Sequence, residues 1–239
     1  MIFECVSRTH VGLRRKINED SLFADPVRGL WVVADGMGGH DAGEVASNMV
    51  TDALRCLPPA PDLGALAASA VEALHHVNGE LVELARSGGD DKPRTIGTTV
   101  VGLAIMNGAY SCFWAGDSRA YLIRGPEIAR VSRDHSVVQN LVDAGMLRPE
   151  EAESHENANL ITRAVGVGEK FEVDVVGGEA LSGDHFVLAS DGLTRLVGDD
   201  ELAAQLSRGP LDEVADALID TALARGGPDN VSLIIVKIV

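Results

Sequence analysis

The chain has 239 residues, of which 46% are hydrophobic and 23% charged, a composition typical of a soluble globular protein with one large domain or two small ones. Its 20 Lys and Arg residues are outnumbered by 36 Asp and Glu residues, and the net charge of −16 argues against nucleic acid or an anionic membrane as the main partner. The first residues lack the pattern of a signal peptide, and three scattered cysteines suit reduced thiols, so we expect a cytoplasmic protein.

The first half of the chain is predicted to contain a strand, two helices and a second strand. The apolar runs LWVVA and TTVVGLAIM predict strands over residues 30–34 and 98–106. Between them, AGEVASNMVTDALRCL indicates a helix over 42–57. A longer helix is indicated by apolar residues that recur at steps of three and four and share one face: Leu63, Leu66, Ala70, Leu74, Val77, Leu81 and Leu84.

The second half is predicted to contain mostly strands. Their sequences are YSCFWAG, RAYLIR, HFVLAS and VSLIIVKIV. Before the last of them, LDEVADALIDTALARGG indicates a helix, with acids in its first turn and glycines at its end. Because the strands on both sides of the helical pair are nearly continuous in apolar character, we predict that helices or a second sheet cover them. We therefore expect a single α/β domain over residues 1–239.

Acidic residues stand at the ends of these apolar runs. Asp35 follows LWVVA, Asp117 follows YSCFWAG, Asp191 follows HFVLAS, and Asp229 comes just before VSLIIVKIV. Each one alone is typical of a turn or a helix cap. If the strand ends share one edge of the fold, however, the four carboxylates converge, and burying them is costly unless a cation lies among them.

The available donors favour hard divalent ions. Carboxylate and carbonyl oxygens, without clustered Cys or His, are suited to Mg²⁺ or Mn²⁺ rather than to zinc or copper. Two such ions bridged by one carboxylate would hold a hydroxide and direct it at a phosphorus atom. Upstream, RRKINED supplies Arg14 and Arg15, and a guanidinium holds two phosphate oxygens at once. A solvated basic turn is the alternative interpretation of these two arginines.

Seven motifs in order resemble one known family: RRKINED, ADGMGGH, TIGTT, GDSRAY, ITRAVG, SDGL and GGPDNVS. They resemble the metal-dependent Ser/Thr protein phosphatases of type 2C, the PPM family, and the DGMGGH form resembles its bacterial members. The resemblance covers the chain from about Arg15 to Ser232. It implies an α+β fold, a four-layer α-β-β-α sandwich in which helices flank a central antiparallel β-sandwich. It also implies hydrolysis of phosphoserine and phosphothreonine on proteins, reversing a Ser/Thr kinase, and we expect a monomer.

The resemblance implies direct metal ligands. Asp35 would bridge two tightly bound Mg²⁺ or Mn²⁺ ions, and the Gly36 carbonyl would bind one of them. Asp191 and Asp229 would complete the direct protein ligands. Asp35 is therefore one of the two expected catalytic residues.

Four more residues receive roles from the same resemblance. Arg15 would hold the substrate phosphate and is the other expected catalytic residue. Glu19 and Asp20 would act mostly through metal-bound water. Asp117 would help to bind a third, weaker ion.

Some positions depart from the family pattern. Met37 stands where some relatives have a His proposed as general acid, so a metal-bound water or His40 would protonate the leaving group. Arg195 replaces an Asp, and Ala158 replaces an Arg of the flap that relatives carry beside the active site. We expect this flap subdomain at residues 134–159, where NLVDAGMLRPEEAE is polar and helical.

Two other functions remain open from the sequence. A catalytically dead relative would bind phosphoproteins, although such relatives usually lose metal aspartates that this chain keeps. A phosphatase of small phosphomonoesters would use the same residues. A cysteine-dependent phosphatase is excluded, because no Arg stands six positions after Cys5, Cys56 or Cys112.

Overall fold

The structure, a computed structural model, describes residues 1–38, 42–87, 95–152 and 154–239. The strands are β1 (Phe3–His10), β2 (Asp20–Asp25), β3 (Leu30–Gly38), β4 (Ile96–Thr98), β5 (Val100–Met106), β6 (Ala109–Ala115), β7 (Arg119–Arg124), β8 (Glu127–Arg130), β9 (Asp174–Glu179), β10 (His185–Ala189) and β11 (Val231–Ile238). The helices are α1 (Ala42–Arg55), α2 (Leu63–Ser87), α3 (Val137–Asp143), α4 (Asp191–Thr194), α5 (Asp199–Leu206) and α6 (Leu211–Ala224), and Pro149–Glu151 forms a 3₁₀ turn.

The strands form two antiparallel sheets. The first has the strand order β1-β11-β10-β7-β8, and the second has the order β2-β3-β5-β6-β9, with β4 paired to β3. Chain neighbours such as β2 and β3 or β5 and β6 pair directly, whereas β1 pairs with β11 from the other end of the chain. The first sheet therefore includes strands from both ends of the chain.

Alternating side chains of the central strands bury both faces of each sheet. In β3, Leu30 and Val32 pack against α1 and α2, whereas Trp31 and Val33 point into the core between the sheets. In β11, Leu233 packs against α6, and Ile234 enters the core between the sheets. Helices therefore cover the outer face of each sheet, which confirms the predicted four-layer α-β-β-α sandwich.

The predicted elements agree with the structure most closely where apolar periodicity is strong. The long helix is α2, and the predicted strand over residues 98–106 is divided into β4 and β5 at Thr99. The division arises because Thr98 exchanges backbone hydrogen bonds with Val165, whereas the Thr99 N–H donates to the Asp35 carbonyl at 2.8 Å. The break thus brings Thr99 beside Asp35.

The sequence interpretation missed elements with weak apolar patterns. Strand β2 has only one fully buried residue, and every residue of β9 is exposed, so neither shows a clear alternation of buried and exposed positions. In the predicted polar helix, α3 ends at Asp143, and Gly145 then adopts a φ of +67°, a conformation that stops a helix. Contacts with neighbouring strands and loops, rather than a local apolar pattern, therefore stabilise these elements.

The three cysteines differ in their exposure to solvent. Cys5 and Cys56 are exposed, Cys112 lies in the core between the sheets, and all three are unpaired. Burial raises the pKa of the Cys112 thiol. No helix in the described residues combines the length and apolar character needed to cross a bilayer.

Candidate active site

A cleft of about 380 Å³ collects nearly all of the residues predicted for the site. It is lined by residues from both sheets and from the segment before β2, including Arg15, Glu19, Asp35, Gly36, Asp117, Asp191 and Asp229. Met37, Thr99, Asn159 and Arg195 line it as well. Residues far apart in the sequence are therefore neighbours at one edge of the sandwich.

The strand registers explain why these carboxylates share an edge. Asp20 at the start of β2 is paired with Asp35 near the end of β3. In the other sheet, β10 runs antiparallel to β11, so Asp191 just after β10 lies beside Asp229 just before β11. Asp117 lies on the connection that follows β6, whose last residue is paired with the first residue of β5. Antiparallel pairing thus brings alternate strand ends to the same rim.

Burial and mutual repulsion raise the pKa values of these carboxyl groups. For Asp35, burial acts first and the charges of Asp20 and Asp191 add to it, so that its pKa lies well above the ordinary value. Burial likewise raises the pKa of Asp20 to about 7 and that of Asp117 to about 7. The pKa of Asp191 is also raised, by burial first, and the Arg195 guanidinium partly offsets the effect. The site therefore holds more negative charge than its own arginines neutralise.

Asp20 lies behind the rim rather than on it. Its Oδ2 accepts a hydrogen bond from the Ser190 hydroxyl at 3.1 Å, while its buried Oδ1 has no hydrogen-bond partner among the described residues. A buried carboxylate oxygen without a donor is unfavourable unless a cation or an ordered water satisfies it. Asp20 Oδ1 can therefore accept a contact from a bound ligand or an ordered water.

Two glycines allow the backbone to pack closely at the rim. A Cβ on Gly36 would lie 2.1 Å from the carbonyl oxygen of Gly43, and a Cβ on Gly192 would lie 1.9 Å from that of Asn230. The Gly36 N–H donates to the Glu19 carbonyl at 3.1 Å, which ties β3 to the segment before β2. The DG sequences at Asp35 and Asp191 therefore have a steric reason as well as a chemical one.

Asn230 is a site residue that the sequence interpretation did not single out. Its side-chain amide donates to the carbonyls of Val11 and Ile17 at 2.8 and 2.9 Å, and its Oδ1 accepts from the Glu19 N–H at 2.8 Å. These contacts fasten the segment that carries Arg15 to the start of β11. The position of Asn230 directly after Asp229 in GGPDNVS was the available signal.

Arg15 lies at the mouth of the cleft. Its Nη2 donates to Asp229 Oδ2 at 2.8 Å, and half of the side chain is exposed. The hydrogen bond to Asp229 raises the pKa of Arg15, so the guanidinium is charged. A guanidinium has five N–H donors in a planar fork, and donors therefore remain for phosphate oxygens.

Arg195 is the second cation in the cleft. Its Nη2 lies 2.9 Å from Asp191 Oδ2 and 3.2 Å from Asp117 Oδ2. The same guanidinium donates to the side chain of Asn159 and, at 3.4 Å, to the carbonyl of Ala158. Arg195, one of the residues that depart from the family pattern, thus contacts two of the predicted metal-binding carboxylates.

The predicted flap segment borders the cleft through its last residues. Near its start, Asp134 pairs with Arg119 at 2.8 Å, and Ser136 forms a β-bridge with Ile161, which lies just beyond the end of the segment.

Met37 lines the cleft, so an apolar side chain lies where some relatives have the proposed general acid. His40, the other candidate, lies outside the described residues.

The residues present fit divalent cations. Carboxylates with raised pKa values, an unpartnered carboxylate oxygen on Asp20 and a glycine-lined rim form a set of hard oxygen donors. Across the described ranges, no three acidic, His or Cys side chains already form a closed metal-binding set. An open arrangement is expected for carboxylates that repel one another, since a cation is what draws such groups together.

Comparisons with known proteins agree with this geometry. A family model described as protein phosphatase 2C matches residues 10–225. Serine/threonine protein phosphatase PstP of Mycobacterium tuberculosis is 38% identical over an alignment that covers 100% of this chain and 46% of PstP. The chain therefore spans about half the length of that relative.

Two solved structures are similar over nearly their whole length. PppA, described as a key regulatory component of T6SS in Pseudomonas aeruginosa, has a TM-score of 0.91 and 40% identity, covering 99% of this chain and 98% of the other. The catalytic domain of PstP in complex with two manganese ions has a TM-score of 0.87 and 36% identity, with the same two coverages. The fold, the carboxylate cleft and these similarities agree, and the chain belongs to the protein phosphatase 2C family.

Proposed function

We propose that this chain is a metal-dependent protein phosphatase that hydrolyses phosphoserine and phosphothreonine monoesters on proteins. The observation that carries the proposal is the convergence of Asp35, Asp117, Asp191 and Asp229 with Arg15 in one cleft. PstP is described as a serine/threonine protein phosphatase, and its catalytic domain is described in complex with two manganese ions. Reversal of a Ser/Thr kinase, a cytoplasmic location and a monomeric state are parts of the same proposal.

The proposed direct metal ligands are those that the family resemblance implies, and all of them line the cleft. Two Mg²⁺ or Mn²⁺ ions would be held by Asp35, the Gly36 carbonyl, Asp191 and Asp229. When bound, the ions supply a nucleophilic water and neutralise charge on the phosphate. Glu19 and Asp20 are assigned to water-mediated contacts. The resemblance assigns Asp117 to a third, weaker site, which is open to an ion only when Arg195 is displaced from Asp117.

The chain's own residues bind and orient the phosphate. The hydrogen bond to Asp229 holds Arg15 at the mouth of the cleft. We assign Arg15 to bind the phosphate oxygens of the substrate, which would position the phosphorus atom over the carboxylates. The hydrogen bonds of Asn230 hold the segment of Arg15 in place, so the guanidinium is oriented before substrate binds. Met37 carries no transferable proton, so a water molecule in the cleft is assigned to protonate the leaving alkoxide.

A second cavity favours a protein substrate over a small phosphomonoester. This cavity, of about 610 Å³, shares Asp117, Asp191 and Arg195 with the cleft. Its other wall includes Ser136 and Val138, from the predicted flap segment. A small metabolite would leave this space empty, whereas residues that flank a phosphorylated side chain would fill it. We propose residues 134–159 as a flap subdomain within one phosphatase domain of residues 1–239.

The proposal is tested by measuring phosphate release from a phosphothreonine peptide with and without Mn²⁺. We expect activity only with the metal, and losses of at least about 100-fold in Asp35→Asn and Asp191→Ala. Asp52→Asn, which changes an exposed aspartate paired with Arg55 on α1, is the matched control and should retain wild-type activity.

Three results would count against the proposal. Full activity in Asp35→Asn or Asp191→Ala would exclude the assigned site. Faster turnover of small phosphomonoesters than of peptides would favour the metabolite phosphatase. Wild-type protein that binds the phosphopeptide without cleaving it in Mn²⁺ would favour the phosphoprotein-binding module.

A further inference from the structure

Arg195 holds two acidic groups of the cleft together. One nitrogen, Nη2, lies within 3.2 Å of both Asp117 Oδ2 and Asp191 Oδ2. The two carboxylates are largely buried, with 9% and 18% of their side chains exposed, and burial penalises them while Arg195 offsets that penalty. A single cation therefore serves two carboxylates from different parts of the fold.

The local structure presents the guanidinium to this pair. Arg195 follows Asp191 by four residues, and its N–H donates to the Asp191 carbonyl at 3.0 Å, so one helical turn directs the side chain back to the carboxylate. On the other side, the guanidinium donates to Asn159 and to the Ala158 carbonyl. Contacts on both sides hold the guanidinium in place.

A divalent ion at this point would need the same oxygens. Mg²⁺ and Mn²⁺ bind carboxylate oxygens directly, and Asp117 and Asp191 each already direct one oxygen at Arg195. An arriving cation would also be repelled by the guanidinium, since like charges a few ångströms apart in a partly buried site repel strongly. Occupation of this place by Arg195 and occupation by a metal ion are therefore mutually exclusive.

We propose that Arg195 is a resident cation that takes the place of a third divalent ion between Asp117 and Asp191. The inference rests on the proposed two-metal function, because it concerns the carboxylate pair beside those two ions. It restricts the role of Asp117: this residue binds a metal only when Arg195 is displaced. The tethered guanidinium supplies a permanent positive charge at a place that would otherwise depend on the concentration of free metal.

The test measures, by equilibrium dialysis, how many Mn²⁺ ions each chain binds when the concentration of free Mn²⁺ is high enough to saturate its sites. We expect Arg195→Ala to bind about one more Mn²⁺ per chain than the wild type, with lower affinity than the other ions, because the freed carboxylates form a new oxygen site. The double variant Arg195→Ala with Asp117→Asn should lose that additional ion. Arg195→Lys keeps a cation in place and should bind the same number as the wild type.

Arg148→Ala is the matched control, because Arg148 lies in the flap segment and pairs with Glu151 instead of the cleft carboxylates. Equal Mn²⁺ counts in wild type and folded Arg195→Ala, or a wild-type site that disappears in Asp117→Asn, would overturn the inference. If Arg195→Ala does not fold, an extra Mn²⁺ bound by Arg195→Lys would overturn it, and an unchanged count would support it. The proposed function is judged separately, by the two tight ions expected in every variant that keeps Asp35, Asp191 and Asp229.

Discussion

Arg15 shows how a single side chain can be assigned by its neighbours. It stands in a short basic run, yet its Nη2 is fixed by Asp229, so its position is tied to a predicted metal ligand. Arg14 stands beside it in the sequence and is exposed. The basic run alone offered both arginines for the phosphate, the family resemblance named Arg15, and the contact with Asp229 supports that prediction.

We expect Arg15→Ala to raise KM for the phosphothreonine peptide by about 10- to 100-fold, since a charge-assisted contact to phosphate contributes about 1.5–3 kcal/mol. Arg15→Lys should recover only part of the loss, because an ammonium lacks the planar fork. Steady-state kinetics with Arg14→Ala as the neighbouring variant tests the assignment. A larger effect from Arg14→Ala than from Arg15→Ala would reverse it.

Asp184 is a buried acid outside the site. Burial disfavours its charged form, but hydrogen bonds from Arg124 at 2.7 and 2.8 Å and from the Leu181 N–H at 2.8 Å together lower its pKa below the ordinary value. A carboxyl group with a lowered folded-state pKa stabilises the fold above its unfolded-state pKa, and the effect is lost as pH falls through the folded-state pKa. Asp184 should therefore contribute stability at neutral pH.

We expect Asp184→Asn to lower the free energy of unfolding at pH 7, with a difference from wild type that shrinks as pH falls below about 4. Urea unfolding followed by circular dichroism at several pH values measures this difference. Asp212→Asn is an exposed control. A difference that is constant with pH would show that the charge of Asp184 is not the cause.

At the scale of elements, a few polar side chains hold connections that have no regular structure. The segment between β1 and β2 carries Arg15 and Glu19, and Asn230 fastens it to β11 by three hydrogen bonds. The segment has no apolar periodicity of its own, so its path depends on contacts such as these and on the hydrogen bond from the Gly36 N–H to the Glu19 carbonyl. Its position could not be read from the local sequence for the same reason.

We expect Asn230→Ala to reduce the free energy of unfolding by about 1–3 kcal/mol and to reduce phosphatase activity, because backbone groups of Val11, Ile17 and Glu19 lose their side-chain partner. Amide hydrogen exchange should increase in residues 11–19 more than elsewhere. Asn140→Ala, at an exposed position of α3, is the control for the loss of an amide. Unchanged exchange in residues 11–19 would contradict the role of Asn230.

At the scale of the whole molecule, the two sheets share one core. Leu188 of β10 and Val101 of β5 belong to the same buried cluster between the sheets, and both are completely inaccessible to solvent. The outer clusters under the helices use the opposite faces of the same strands. Loss of packing between the sheets should therefore destabilise all four layers.

We expect Leu188→Ala to cost about 2–5 kcal/mol, the usual range for truncating a buried leucine. Unfolding followed by the fluorescence of the two tryptophans and by the circular dichroism of the helices should shift by the same amount, as required of a single domain. Leu84→Ala, a half-exposed position on α2, should cost much less. Separate transitions for the two signals would contradict the single-domain proposal.

The residue patterns predicted a single α/β domain, most helices and central strands, and the acidic residues at strand ends, whereas the four-layer arrangement came from the family resemblance. Apolar periodicity is a local property, so Leu63 to Leu84 could be interpreted without knowing the partners of that helix. The order of short motifs added the family, and with it the expected roles of Asp35, Asp191 and Asp229. A strand such as β9, which is exposed throughout and paired only with β6, gave no comparable local signal.

The tertiary structure alone decided which atoms meet. Arg195 and Asp117 are separated by 78 positions in the chain, and Asn230 and Val11 by 219, yet each pair is in contact. Such contacts depend on how the two sheets pack and on which way a helical turn directs its side chain, and neither is encoded in a short stretch of residues. For that reason the sequence showed Arg195 only as a departure from a pattern, whereas the fold makes it a cation shared by two carboxylates.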